Sequence, residues 1–258
     1  MFCFLTARVK YPASISNLAS WSANLGDKMI KAKTIKAYLT GLRSHHIDVG
    51  YSGTEIEAFH HPTLQRIIAG IRRLQGDDQT RERRPITRDL LLLLLRQFDQ
   101  STIEGATWHA SFCLAFAGFL RMGEFTWSQS DRTSDFKQWH LTRSSVIFQN
   151  DSLQVTLPSS KTDPFRRGVT LTIAAVDDEA CVKNSLANLF SKFPAPLLAP
   201  LFDPGYPYTR THVTEVLRRT LATLSIEGRY SGHSFRRGAA TSARRAGLSE
   251  DEIQLLGR

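Results

Sequence analysis

The sequence predicts a mainly α protein with a small antiparallel β-sheet, divided between two domains. Three observations carry this. Apolar residues recur at three- and four-residue spacing over most of the chain, the period of an amphipathic helix. Between Val146 and Ile173 the period switches to alternation, as in half-buried strands. Gly76 to Pro85 is polar, highly charged and lacks an apolar face, the composition of an exposed linker. The expected organisation is a helical domain over 1–75, a linker over 76–85 and a mixed domain over 86–258.

In chain order, Pro12 to Leu25 places Ile15, Leu18, Ala19, Ser22 and Leu25 on one helical face, and Gly26-Asp27 ends it. Thr34 is the expected N-cap of a second helix whose buried stripe is Ile35, Tyr38, Leu39 and Leu42, with Gly50 as its stop. Lys31, Lys33, Lys36, Arg43 and His46 surround that stripe with positive charge. Pro62 opens a third helix with Leu64, Ile67, Ile68 and Ile71 inward and Arg66, Arg72 and Arg73 outward.

Thr87 caps the first helix of the second domain, and the six leucines Leu90 to Leu95 imply burial nearly all round. Ala106 to Phe125 reads as one central core helix with Arg121 at its C-terminal end, where the helix dipole favours a cation. Glu124, three residues on, is placed to pair with it. Val146 to Phe148, Leu153 to Leu157 and Gly168 to Ile173 are the strands. The hairpin loop between the last two carries Lys161, Arg166 and Arg167. Helices follow over Asp177–Lys192 and Thr211–Leu224. Ser231 to Gly247 is the next, and a Ser249–Glu252 capping box starts the last.

Lys plus Arg number 33 against 24 acids, a net charge of +9 with a pI near 9.7. That balance favours a polyanionic partner, nucleic acid or an acidic membrane surface. The longest apolar runs, Leu90–Leu95 and Ala110–Leu120, fall short of the roughly 20 residues a membrane-spanning helix needs. The start of the chain lacks the basic region of a secretory signal. Cys3, Cys113 and Cys181 are widely spaced and odd in number, which reads as free thiols in a reducing compartment. His45-His46 and His60-His61 have no cysteine or carboxylate at ligand spacing, so no metal site is expected.

His233 and Arg236 stand three apart, on one face of one helix. A guanidinium grips a phosphate through parallel hydrogen bonds, and an imidazole beside it exchanges a proton with the same group. With Arg121 in Leu-Arg-Met-Gly-Glu and Lys161 on a hairpin, the chain carries an ordered set Arg, Lys, His-x-x-Arg. In this set the sequence resembles the tyrosine recombinase (phage-integrase-like) family of DNA breaking–rejoining enzymes. The stretches Thr34 to His46 and Leu64 to Arg73 look like the integrase-like proteins of fungal mobile elements.

The resemblance implies a helical core-binding domain followed by an α+β integrase-like catalytic domain, acting on double-stranded DNA without metal or other cofactor. By resemblance, Arg121 and Arg236 clamp the non-bridging oxygens of the scissile phosphate. Lys161 would protonate the leaving 5′ oxygen, and His233 would position the phosphate and move a proton at the nucleophile. Glu124 would orient the site, and a tyrosine would form a 3′-phosphotyrosine. Lys31, Lys33, Lys36, Arg43, Arg72, Arg73, Arg83, Arg84, Arg166 and Arg167 are the candidate DNA contacts. Family members act as tetramers on paired sites, inside the cell and, in a eukaryote, in the nucleus.

The family's tyrosine belongs downstream of His-x-x-Arg, and no tyrosine follows Tyr230 here. A second His or Trp is expected just past Arg258. The expectation is therefore a recombinase truncated before its nucleophile. The alternative is a non-catalytic DNA-binding protein that retains the scaffold. A metal-dependent nuclease built on Asp77-Asp78 or Asp177-Asp178, and a purely structural helical protein, are further readings.

Overall fold

Two separate hydrophobic clusters organise the chain, one within Met1–Thr80 and one within Arg81–Arg258. The structure is a computed structural model that describes residues 11–76, 83–127, 139–158, 165 and 167–257.

In the first unit, α1 (Ile15–Asp27), α2 (Ala32–Asp48), a 3₁₀ helix (Gly53–His60) and α3 (Pro62–Gln75) close over Leu18, Ile35, Leu39, Phe59, Leu64 and Ile71. Ser14 caps α1 by accepting from the Asn17 amide, and Pro62 occupies the first turn of α3. Helix α2 begins two residues before the expected Thr34 cap: Lys31 takes the cap position and Thr34 lies in the first turn. His46, expected among the surface cations, is buried instead. Its Nδ1 bonds the Leu42 carbonyl at 2.8 Å, and its Nε2 accepts from the Ala13 amide at 3.2 Å. The ring thus serves the entry to α1 and the interior of α2 rather than an external surface.

In the second unit the leucine run forms α4 (Arg88–Leu95), capped by Thr87. Leu91, Leu94 and Leu95 are buried, but Leu93 is 43% exposed. The helix is therefore one-sided, as its 3.6-residue period requires with core on a single face. Helix α5 (Ile103–Ala117) is the centre of this unit, buried at every position from Gly105 to Phe116. The single helix expected over Ala106–Phe125 is instead two. Phe119 adopts φ 51°, the Leu120 amide reaches back to the Ala115 carbonyl at 3.0 Å, and the Phe119 amide reaches Phe116 at 3.1 Å. This double closure is a Schellman stop, locked by fully buried Leu120. One more helical turn, α6 (Met122–Phe125), follows.

Strands β1 (Val146–Phe148), β2 (Ser152–Leu157) and β3 (Val169–Ala174) pair antiparallel in that order, with Val146 opposite Val155 and Leu157 opposite Val169. Leu153, Val155 and Leu157 alternate into the core. Helices α7 (Val182–Lys192), α8 (Arg210–Thr223), α9 (Gly232–Arg245) and α10 (Glu250–Gly257) complete the unit. Glycines set how closely α9 docks. A Cβ at Gly238 would stand 1.7 Å from the Ile86 carbonyl oxygen, and one at Gly232 would stand 2.3 Å from Met122 Cε. Phe235, between them, is fully buried with its ring edge-on to Phe112 at 4.8 Å.

His109 sits inside α5 beside Ser185 of α7. The Ser185 hydroxyl donates to the Cys181 carbonyl at 2.8 Å and lies 3.1 Å from His109 Nδ1. Burial pushes the imidazole down to about 4 and the neighbouring Cys113 thiol up to about 12. Both Cys113 and Cys181 are buried free thiols. Cys3 lies outside the described residues.

Two outcomes follow. Gly238→Ala must displace backbone and lowers stability by about 2–3 kcal/mol. Gly41→Ala, where a Cβ meets nothing within 4 Å, raises it by up to about 1 kcal/mol. Urea denaturation of both variants checks this pair. For His109, the unfolded chain binds the proton below the ordinary value near 6.5, whereas the folded chain resists it down to about 4. Stability therefore falls as pH drops through that window, by up to about 3 kcal/mol, and levels off below it. His109→Gln removes this component of the pH dependence of the urea midpoint.

Candidate active site

Arg121 does not end a helix. It is the extended residue that caps the N-terminus of α6, with φ −77° and ψ 144°. The Schellman stop of α5 turns the chain so that Arg121 emerges beside the core rather than along the helix axis. Glu124 then holds it twice. One carboxylate oxygen accepts from the Arg121 amide at 2.8 Å and the other from its guanidinium Nη1 at 3.0 Å. The Glu124 side chain is 4% exposed and that of Arg121 21%. A nearly buried ion pair is held this well only when its remaining polar atoms are also bonded.

His233 and Arg236 occupy the first two turns of α9, as the three-residue spacing requires. His233 is exposed and Arg236 half-buried. Arg236 Nη1 donates to the Phe119 carbonyl at 3.3 Å, and Nη2 donates to the Gly257 carbonyl. Phe119 precedes Arg121 by two residues. Gly232, next to His233, packs on Met122, next to Arg121. The segment Phe119–Met122 therefore runs along the start of α9, bringing Arg121, Glu124, His233 and Arg236 to one place. Lys161 and Arg166 lie outside the described residues. The arms of their hairpin are the β2–β3 pair.

The Arg210 guanidinium lies over Gly123, in the space a side chain would take. A Cβ there would stand 2.3 Å from Arg210 Nη2. Arg210 opens α8 and is exposed. Sequence reasoning did not single it out, since it belongs to no motif; the only local signal was a glycine inside the one-turn helix between Arg121 and Glu124. Tyr230, three residues before His233, is buried against the core.

The remaining cations divide between the units. Lys31, Lys33 and Lys36 are exposed at the start of α2, Arg43 is half-buried on the same helix, and Arg72 and Arg73 are exposed in the last turn of α3. Arg83 and Arg84 are exposed at the start of the second unit, and Arg167 lies over the Phe165 ring at 5.4 Å. Among the described residues, no group of three or more His, Cys, Asp or Glu side chains is placed to hold a metal ion. His61 Nδ1 accepts from the Thr63 amide, Asp178 pairs with Arg88, and Asp77 and Asp78 lie outside the described residues. No described helix is long and apolar enough to cross a membrane.

No family model matches the chain. An integrase/recombinase XerD homolog of Selenomonas ruminantium is 26% identical over 246 residues, covering 90% of this chain and 66% of that protein. The Tn1549 transposon integrase in complex with circular intermediate DNA superposes with a TM-score of 0.56 at 16% identity, over 95% of this chain and 77% of that one. A lambda integrase dimer bound to a core site gives 0.56 at 18% identity, over 98% and 78%. The fold is integrase-like. Together these likenesses support the tyrosine recombinase/integrase family. The position of Arg121 at a helix N-cap departs from the sequence expectation, and its pairing with Glu124 is the part the spacing anticipated.

Replacing Glu124 separates the buried pair from its surroundings. Glu124→Ala leaves Arg121 half-desolvated without its counter-charge and lowers stability by about 3 kcal/mol or more. Gly123→Ala displaces only the free end of Arg210 and changes stability by less than about 1 kcal/mol. Thermal and urea unfolding of the two single variants checks the contrast.

Proposed function

We propose that this chain is the DNA-binding and phosphate-clamping part of a recombinase that integrates or rearranges DNA. The observation that carries the reading is the tie between Arg236 and the Phe119 carbonyl. It holds one guanidinium beside the turn that presents another, with His233 one helical turn away. Two guanidiniums set around one position stabilise the charge that develops on non-bridging phosphate oxygens. His233 is the proton carrier at the attacked oxygen, and Lys161 protonates the leaving 5′ oxygen. Glu124 keeps Arg121 aimed without reacting. The cations of α2 and α3, with Arg83, Arg84, Arg166 and Arg167, contact the DNA backbone. Assembly is on paired sites, as a tetramer, and the element of origin is of the fungal mobile type.

We assign the nucleophile to none of the six tyrosines of this chain. All six tyrosines are accounted for: Tyr11, Tyr38 and Tyr51 lie in the first unit, and Tyr208 and Tyr230 are buried in the second. Tyr206 donates to Glu104 at 2.8 Å, and its hydroxyl is pushed up to about 12, chiefly by burial. This arrangement favours a second reading for the 258 residues by themselves, a DNA-binding protein that holds a phosphate without cutting it.

The experiment presents the chain with a nicked DNA duplex that traps covalent intermediates. Binding without a covalent adduct is the expected result, and an adduct on any of the six tyrosines overturns the assignment. Arg121→Ala and Arg236→Ala each weaken binding by roughly ten- to a hundredfold, the loss of one or two charge-assisted hydrogen bonds.

A further inference from the structure

The second unit carries an open cleft of about 510 Å³, lined by Glu104, Tyr206, His212, Glu215, Val216 and Arg219. Glu104 stands in the first turn of α5, and the last four share one face of α8. The volume falls within the roughly 300–1,000 Å³ of ligand sites. None of the six is a residue of the clamp.

Glu104 is fixed before anything binds. One of its carboxylate oxygens accepts from the Tyr206 hydroxyl at 2.8 Å and from the Trp108 indole N–H at 3.4 Å. The helix dipole explains an acid at that position. Glu215 has no such explanation. It is exposed in the middle of α8, and among the described residues it makes no hydrogen bond or ion pair. Arg219 is four residues on, the spacing of a helical ion pair, yet the two are not paired. His212 lies one turn before Glu215. Its Nδ1 donates to the Pro207 carbonyl at 2.5 Å, which leaves Nε2 as the acceptor of the neutral ring.

These groups select a class of ligand. Two carboxylates and an imidazole nitrogen accept hydrogen bonds, against one cation, Arg219. Two like charges in one cleft are unfavourable until a donor-rich cation enters. A bare metal ion does not fit, since no group of three or more His, Cys, Asp or Glu among the described residues is placed to hold one. A guanidinium fits better than an ammonium. Its planar fork meets a carboxylate with two parallel hydrogen bonds, and its flat face stacks on an aromatic ring such as the Tyr206 wall.

We propose that this cleft binds one guanidinium group, with Glu104 and Glu215 as its counter-charges and the Tyr206 ring as its platform. The group belongs to a small free guanidine or to an arginine side chain of a second copy of this chain. The site is independent of the DNA-binding reading, because it shares no residue with the clamp.

The test titrates the full chain with N-acetyl-arginine amide, which carries a guanidinium and no other charge, by isothermal calorimetry. One molecule binds per chain. Glu104→Gln and Glu215→Gln each weaken binding about two- to fivefold, and Arg219→Gln strengthens it by a similar factor. Arg218→Gln removes the same charge from an exposed neighbour that does not line the cleft, and leaves the affinity unchanged. Glu104→Gln retains an oxygen acceptor for Tyr206 and Trp108, and Glu215 is exposed and unbonded, so neither variant puts folding at stake. Sedimentation equilibrium separates the two sources. A dimer that the added amide dissociates, and that Glu215→Gln weakens, assigns the group to a second copy; a monomer throughout assigns it to a free guanidine. Absence of binding overturns the site, as does an unchanged affinity in Glu215→Gln. Equal binding of N-acetyl-lysine amide overturns the choice of a guanidinium.

Discussion

The close approach of α9 to its neighbours is the constraint on which the second unit depends. Gly238 admits the Ile86 carbonyl on one side and Gly232 admits Met122 on another, while Phe235 fills the space between them. A helix seated at that depth has almost no freedom to slide or rotate. Packing therefore sets where His233, Arg236 and Arg237 leave the backbone, and the Arg236 and Arg237 guanidiniums are then held by the Phe119, Gly257 and Arg83 carbonyls. The same seating pins residues 83–86 through the Ile86 amide bond to the Ser234 carbonyl at 2.9 Å. One helix thus sets the clamp and the start of the unit together.

Much of this was legible in the sequence, and the failures have physical causes. The helical periods located α1, α3, α4 and α9, and the alternation of Leu153, Val155 and Leu157 located the sheet. The spacing of His233 and Arg236 needed only the geometry of a helix. The break at Phe119 was not legible, because a left-handed conformation at a phenylalanine is normally disfavoured and is held here by the buried Leu120 that follows it. His46 was misjudged for a related reason. A histidine after Ser44 and His45 reads as surface until a distant amide, that of Ala13, arrives to claim its ring nitrogen. Arg210 left no trace except a neighbouring glycine, since its place is set by the loop before α8.

The arginines of the second unit fall into distinct physical environments. Arg143 is buried, bonded to the Phe193 carbonyl at 2.6 Å with its guanidinium 4.6 Å over the Phe190 ring, and desolvation holds its pKa below the ordinary arginine value. It is a structural cation. Arg88 and Arg96 are neutralised at the surface by Asp178 and Glu179. Arg83, Arg84 and Arg229 have no such carboxylate among the described residues. Net charge alone would count all of these alike, although a buried or paired guanidinium is less available to a polyanion than an exposed one.

Glu124 has a consequence for the thermodynamics of binding. Its two oxygens restrain both the backbone of Arg121 and the far end of its side chain. An unrestrained arginine gives up about 2 kcal/mol of rotamer entropy when it is ordered. Here that ordering is completed as the protein folds, so an incoming phosphate meets a guanidinium already in position. The affinity of the site is in this sense set partly by the stability of the chain, and a change that loosens α6 would appear as weaker binding before it appeared as unfolding.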